Sequence, residues 1–328
     1  MRTRSIGSLQ VSEIGLGCMN LNHMYGGGIP QAPAQALLTA AVDSGVTLFD
    51  TAALYGFGRN EKWVGEALKP FRQHITLASK CGMTGVDGKR VIDGRPETLE
   101  QTCREALQRL QVEVIDLYYL HRWDKKVPIE DSVGALANMV QRGWIREIGL
   151  SEVSAATLRK AHAIHPIAAV QSEYSLCTRD PEIALLAACE ELAVALVAFS
   201  PVGRGFLAGA VTDLAQLTEK DIRRNLPRFR EPNFAANLRL LSELRRIAAE
   251  AGCTPAQLAI AWLLQKSRSI IPIPGTTSQE HLHENLGAAT VELSKETVAK
   301  LERAINPSTV SGDRYPPETL REIDADVR

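Results

Sequence analysis

Eight short apolar runs recur along the chain: "VSEIGLGC", "VTLFDTA", "ITLASKCG", "VIDLYYLH", "IREIGLSE", "IAAVQSEYS", "ALVAFSP" and "SIIPIPG". Most are near-continuous rather than alternating, as strands of a parallel sheet covered on both faces are. Helical patterns lie between them. In "PETLEQTCREALQRL", Leu99, Cys103, Ala106, Leu107 and Leu110 fall on one helical face, and Pro96 suits the first turn. In "DSVGALANMVQRG", Val133, Leu136, Ala137 and Val140 form a stripe and Gly143 is a C-terminal stop. Ser154, Asp180 and Thr254 are expected N-caps, the last two followed by Pro181 and Pro255.

Eight strands alternating with helices predict an α/β fold, a (β/α)8 TIM barrel forming a single domain over residues 1–328. A doubly wound open sheet is the rival, because strand order is not legible in a sequence. "TRSIGSLQVSEIG" predicts an N-terminal β-hairpin closing the barrel floor. The stretch after strand seven, about 202–268, is a long excursion with more than one helix, of the kind that often serves as a lid. Residues from about 306 to 328 form a C-terminal tail.

Composition narrows the setting. The chain has 328 residues, 45% of them hydrophobic, enough for a large core, and a net charge of −1 that gives no general attraction to nucleic acid or an anionic membrane. "MRTRSIGSLQ" lacks the apolar stretch of a signal peptide, and the apolar segment 183–202 is interrupted by Glu190, Glu191 and Pro201. Six cysteines show neither a CxxC pair nor a compact framework, so they read as reduced thiols in a cytoplasmic protein.

In a barrel all strand ends open on one face, so polar residues there converge. Strand two ends at Asp50, with Tyr55 in its loop; strand three ends at Lys80, and strand four at His121. Each has an ordinary structural explanation alone. Together they suggest proton donation to an oxygen that gains negative charge. A free phenol, with a pKa near ~10, is a reluctant acid, and a nearby ammonium is expected to lower that value. Asp50 would hold the Lys80 ammonium, and His121 would orient a carbonyl or assist proton transfer. None of these groups supplies electrons, so reduction requires a hydride donor. Met19, Tyr25, Leu54 and Trp123 follow strand ends beside the acid and are candidate substrate walls.

"FSPVGRGFLAG" offers Gly203 and Gly205 after a strand, a weak match to a dinucleotide fingerprint, since no short βα unit with an acidic strand end follows. In a barrel, a glycine loop after strand seven lets backbone approach a pyrophosphate. The eighth strand runs into "IPIPGTTSQEHLHEN", a turn that opens a helix and makes an anion site. Barrels often bind phosphate between these two loops.

These motifs, taken in order, resemble the aldo-keto reductase superfamily across nearly the whole chain, from "IGLGCMN" to "HLHENL". "SPVGRGFLAG" and "TPAQLAIAWLLQ" look most like the branch containing perakine reductase and similar bacterial enzymes. The resemblance implies NADPH-dependent carbonyl reduction with Tyr55 as acid, Lys80 and Asp50 tuning it, and His121 placing the carbonyl. It also implies that Ser151 and Gln171 hold the nicotinamide carboxamide, that Ser200, Gly203 and Gly205 line the pyrophosphate, and that Gly275, Thr276, Ser278, Glu284 and Asn285 surround the adenosine end. Two positions depart from the family pattern. Phe199 stands where many relatives stack a tyrosine on the nicotinamide, and Thr277 and His281 stand where a lysine or arginine often meets the 2′-phosphate. NADH is therefore a possible second donor.

Two rival functions use the same fold: a cofactor-binding regulatory or sensor barrel with little turnover, and a Schiff-base aldolase with Lys80 as nucleophile. The pairs His162/His165 and His281/His283 lack a third ligand at suitable spacing, so no metal is expected. "RRNLPRFR", from Arg223 to Arg230, is expected to be a solvated loop.

Overall fold

The computed structural model of the protein describes residues 1–86 and 89–326. A hairpin, β1 (Thr3–Ile6) and β2 (Leu9–Ser12), comes first, then strands β3 (Leu16–Gly17), β4 (Leu48–Asp50) and β5 (Thr76–Cys81). A second hairpin, β6 (Met83–Val86) and β7 (Lys89–Ile92), precedes β8 (Ile115–Leu120), β9 (Ile145–Ser151), β10 (Ala169–Glu173), β11 (Ala195–Phe199) and β12 (Ile270–Pro272). The helices are α1 (Gln31–Asp43), α2 (Arg59–Leu68), α3 (Pro96–Leu110), α4 (Ile129–Gln141), α5 (Ala155–Ile164), α6 (Leu185–Glu191), α7 (Asn233–Glu250), α8 (Pro255–Lys266), α9 (Gln279–Gly287), α10 (Lys295–Ala304) and α11 (Pro317–Leu320).

The eight strands other than the hairpins form one parallel sheet in the order β3-β4-β5-β8-β9-β10-β11-β12. The sheet closes on itself through Gly15 N–H to Pro272 O (3.0 Å) and Gly17 N–H to Pro274 O (3.4 Å). Closure needs a glycine on each side of the seam. A Cβ on Gly17 would lie 2.9 Å from Ile273 O, and one on Gly275 would lie 2.9 Å from Gly17 O. The fold is thus a (β/α)8 barrel, and the open-sheet alternative falls.

Strand residues divide by parity. Leu48, Ala78, Leu117, Tyr119, Ala169, Val197 and Ile271 fill the barrel interior, with Ile6 and Val11 of the first hairpin in the same cluster. Phe49, Leu77, Tyr118, Leu120, Val170 and Leu196 face outward into the helix layer. Because side chains alternate, Asp50, Lys80 and Gln171 continue the interior rows of Leu48, Ala78 and Ala169 upward to the C-terminal mouth. Arg4 secures the first hairpin by donating to Leu264 O, Ser267 O and Ile270 O at 2.5–2.6 Å, at the C-terminal end of α8 and the start of β12.

Some local expectations shift. Asp180 does not cap a helix; it lies in a 3-10 turn, its carboxylate 3.4 Å from Arg314, and α6 starts later, at Leu185. On α4 the buried face takes Met139 as well as Val133 and Leu136, while Ala137 and Val140 are only partly covered. Ser154 and Thr254 do cap their helices, Thr254 with a reciprocal capping box to Gln257. The excursion between β11 and β12 contains both α7 and α8. Among the described residues no single helix is long and apolar enough to cross a membrane.

Candidate active site

At the mouth of the barrel, Lys80 is fully buried and its ammonium forms an ion pair with Asp50 Oδ1. It also donates to Thr51 O at 2.7 Å and lies 5.0 Å from the centroid of the Tyr55 ring. Two backbone bonds set the path of the Tyr55 loop: Ala53 N–H reaches Lys80 O across to β5 (3.4 Å), and Tyr55 N–H reaches Ala52 O within the turn (3.0 Å). His121, just past β8, meets Tyr55 edge to face with centroids 5.8 Å apart. The structure therefore gathers all four residues that the strand ends suggested.

The electrostatics favour a protonated phenol beside a charged amine. Burial lowers the Lys80 ammonium, but the Asp50 and Tyr55 oxygens outweigh it, and its pKa rises above the ordinary lysine value. Burial pushes the Tyr55 phenol up; Lys80 and Arg122 pull it down, Asp50 adds to the rise, and the net shift is upward. The sequence argument foresaw a lowered phenol, and desolvation overrides that. Burial, then the charges of Lys80 and Arg122, hold His121 well below the usual imidazole range, so it is neutral at pH 7. Its buried Nδ1 has no hydrogen-bond partner among the described residues. A neutral imidazole with an unused nitrogen beside a phenol can orient a carbonyl oxygen.

The polar residues around this centre are already in contact with it. Gln171 donates through Nε2 to Asp50 Oδ2 at 2.8 Å, and Ser151 Oγ accepts from Arg122 at 3.2 Å. Arg122 also donates to His121 O at 2.7 Å. Phe199 ends β11, partly exposed, paired in register with Glu173.

The loop after β11 turns sharply, with Ser200, Gly203, Arg204 and Gly205 all left-handed at φ of 52°, 57°, 59° and 85°. Gly203 and Gly205 N–H groups are engaged in turns to Ser200 O (2.9 Å) and Val202 O (3.2 Å). Their contribution here is conformation and a backbone free of side chains. After β12, Ser278 caps α9 by accepting from His281 N–H, and Thr276 Oγ1 accepts from Ser278 N–H at 3.1 Å. The first-turn N–H groups at 279 and 280 have no intrahelical acceptor, which leaves a place for an anion. Thr277 and His281 are exposed at this helix start, Asn285 is buried and Glu284 partly so. These two loops and the Ser151–Gln171 pair fit a dinucleotide laid along the mouth.

Of the four candidate substrate residues, Met19 and Leu54 join Tyr55 in one apolar cluster with Ala52, Met83 and Ile92. Tyr25 lies instead under the Arg223 guanidinium, 5.0 Å from it, and Trp123 donates through Nε1 to Val127 O of its own loop. Sequence reasoning missed Met83 and Ile92, because it did not see the β6–β7 hairpin. The available signal was Asp87-Gly88 between "MTGV" and "KRVI", a strong two-residue hairpin cue; those two residues lie outside the described ones. It also missed His23, stacked on Tyr55 with centroids 5.8 Å apart and its buried Nε2 without a hydrogen-bond partner among the described residues.

The basic stretch after β11 is a solvated loop only in part: Arg224 and Arg230 are exposed, but Arg223 and Arg228 are tied into the fold. Arg223 pairs with Asp221 at 2.7 Å and donates to Arg204 O, while Arg228 donates to Thr178 Oγ1 at 2.6 Å and to Gly312 O. Behind the glycine loop Arg204 is buried and pairs with Glu173 at 2.8 Å while donating to the Tyr315 hydroxyl. Arg314 pairs with Glu152 at 2.7 Å. Tail residues 314 and 315 thereby lock the ends of β9, β10 and β11 together.

A parallel barrel with an acid, an amine, an imidazole and a carboxylate at its C-terminal mouth is the framework of a carbonyl-reducing oxidoreductase. The chain belongs to the Aldo/keto reductase family, whose model matches residues 13–306. It is 43% identical over 322 residues to a Schizosaccharomyces pombe protein named as an NADP(+) aldo-keto reductase, yakc, covering 96% of this chain and 94% of the relative. Among solved structures it is similar to a glycerol dehydrogenase of Gluconobacter oxydans, with a TM-score of 0.86 at 27% identity, covering 96% of this chain and 98% of the other. It is also similar to an aldo-keto reductase of Bacillus halodurans in its holo form, with a TM-score of 0.78 at 27% identity, covering 94% and 97%.

Proposed function

We propose that the protein is an NADPH-dependent reductase of an aldehyde or ketone in which Tyr55 is the general acid. The observation that carries this reading is the buried Lys80–Asp50 pair beneath a protonated Tyr55, with neutral His121 across from it. NADPH, when bound, supplies the hydride to the carbonyl carbon. Ser151 and Gln171 would hold the carboxamide of the nicotinamide, Phe199 would face its ring, Ser200, Gly203 and Gly205 would line the pyrophosphate, and Gly275, Thr276, Ser278, His281, Glu284 and Asn285 would take the adenosine end. His121 donates a hydrogen bond to the carbonyl oxygen and holds it against the phenol. Tyr55 transfers its proton to that oxygen as negative charge develops, and the Lys80 ammonium, fixed by Asp50, stabilises the phenolate left behind.

The cofactor assignment has support in the NADP(+) named for the fission-yeast relative. Thr277 and His281 supply no fixed cation for a 2′-phosphate, so NADH serves as a weaker second donor. A Schiff-base role for Lys80 requires a neutral amine, and Asp50 works against that state. All six cysteines are free thiols, consistent with work on small molecules in a reducing cytoplasm. The test is Tyr55→Phe, assayed by NADPH oxidation over a panel of aldehydes and ketones. Turnover is expected to fall about 10²–10⁴-fold with NADPH affinity retained. Turnover near that of the wild type would overturn the assignment.

A further inference from the structure

The β6–β7 hairpin stands beside the Tyr55 loop, and its inner face is mixed in size. Met83 pairs with Ile92 and Gly85 with Arg90 in antiparallel register, so these four share one face. Met83 and Ile92 pack against Tyr55, Leu54, Ala52 and Met19. One step further out the hairpin has no side chain at Gly85, and the Phe57 ring occupies that space. A Cβ on Gly85 would fall 2.0 Å from Phe57 Cδ1 and 2.2 Å from Cε1.

Phe57 is an unusual residue for its place. It follows Tyr55 by two positions, has a left-handed backbone at φ 53°, and is 57% exposed. A bulky side chain rarely adopts that conformation, and a phenyl ring largely in water adds little to the core. Residues 56 and 58 on either side are glycines, also left-handed at 57° and 86°, so the loop arches and carries the ring out over the hairpin. Strain and exposure together at one residue beside a proposed acid are what a ligand contact would explain. Through Gly85, Phe57 stands beside the buried apolar cluster of Leu54, Tyr55, Met83 and Ile92, with its aromatic face still open to solvent.

We propose that Phe57, seated on Gly85, is the outer wall of the substrate pocket and selects carbonyl compounds bearing an aryl or similarly bulky apolar group over small aliphatic ones. This rests on the reductase reading and assigns its substrate class. The carbonyl sits at Tyr55 and His121, its apolar substituent lies along Met83 and Ile92, and the far end of that substituent packs on the Phe57 ring.

The test measures kcat and KM for benzaldehyde and for propanal with the full chain and NADPH. Wild type is expected to prefer benzaldehyde at least tenfold in kcat/KM, mostly through KM. Phe57→Asn tolerates the left-handed backbone and removes the aromatic face; it should reduce that preference about tenfold, the scale of one aromatic contact. Phe57→Trp should keep the preference. Gly85→Ala displaces the ring without deleting it and should reduce the preference in the same direction, with NADPH Kd within about twofold of wild type as the check on folding. Equal losses on both aldehydes in Phe57→Asn, or a wild type that handles propanal as well as benzaldehyde, would overturn the proposal while leaving the reductase reading intact. Turnover of neither aldehyde would overturn this proposal, and only an absence of turnover across the whole panel of aldehydes and ketones would sink the reductase reading as well.

Discussion

Two buried polar clusters share the C-terminal end of this barrel, and they are built on opposite principles. The first, around Tyr55, is open: among the described residues the buried His121 Nδ1 and His23 Nε2 have no hydrogen-bond partner, and both imidazoles face the Tyr55 ring. The second, behind the glycine loop, is closed. Glu152, Glu173, Arg204, Arg228, Arg314, Thr178 and Tyr315 satisfy one another, and none of their side-chain atoms is orphaned among the described residues. Leaving a buried polar group unmade costs free energy, and the two unpartnered imidazole nitrogens lie where the oxygen of the proposed substrate could complete them. The closed cluster needs no such completion and acts as a brace.

Breaking the brace should cost the most stability. Glu173→Gln leaves the buried Arg204 without its counter-ion, and urea unfolding should show a loss of about 3–5 kcal/mol. The same group sets an acid limb. The surrounding arginines outweigh burial and hold Glu173 below the usual glutamate value. Its stabilisation is therefore complete above the unfolded-state value of about 4.3 and is lost as pH falls through the lower folded value. Glu173→Gln should flatten the stability–pH curve in that range, and an unchanged acid limb would contradict the brace.

Breaking the open cluster should appear in turnover. In the proposed mechanism Lys80→Met removes the charge that would stabilise the developing phenolate, and kcat should drop about a hundredfold, near 2.7 kcal/mol. A smaller effect is expected on the pH profile. Tyr55 is shifted upward and His121 downward, so both keep their working protonation states across roughly pH 6.5–10, the interval between their ordinary values. Reductive kcat should be flat there; a limb inside that interval that disappears on altering either residue would refute the assignment. The smallest change lies outside both clusters. Thr254→Ala removes the α8 capping box and should cost about 1 kcal/mol of stability with kcat unaltered.

Four members of the open cluster were legible because each ends a strand or follows one closely. Apolar runs give strand ends, and the barrel rule makes strand ends converge, so Asp50, Tyr55, Lys80 and His121 could be grouped from the sequence, whereas His23 could not. The brace was not legible. Its members come from a strand end, a glycine loop, the long excursion and the tail, and nothing in the spacing of Glu173, Arg228 and Arg314 says that they meet. The arginine-rich stretch even pointed partly the wrong way, since charge density resembles a solvated loop until the buried acids that pair with it are placed. The direction of the Tyr55 shift was misjudged for a related reason: a sequence names the neighbouring charge but not the depth of burial that outweighs it.

The sequence by itself determined the eight barrel strands and most of the helices between them, since hydrophobic periodicity is a local property, and it determined which residue types arrive at the C-terminal rim. Only the tertiary structure decided how loops meet across the mouth: that Phe57 lies on Gly85, that the tail closes on Arg204, and that two imidazoles flank one phenol. Those contacts depend on loop paths, which are set by packing between distant segments rather than by any repeat along the chain.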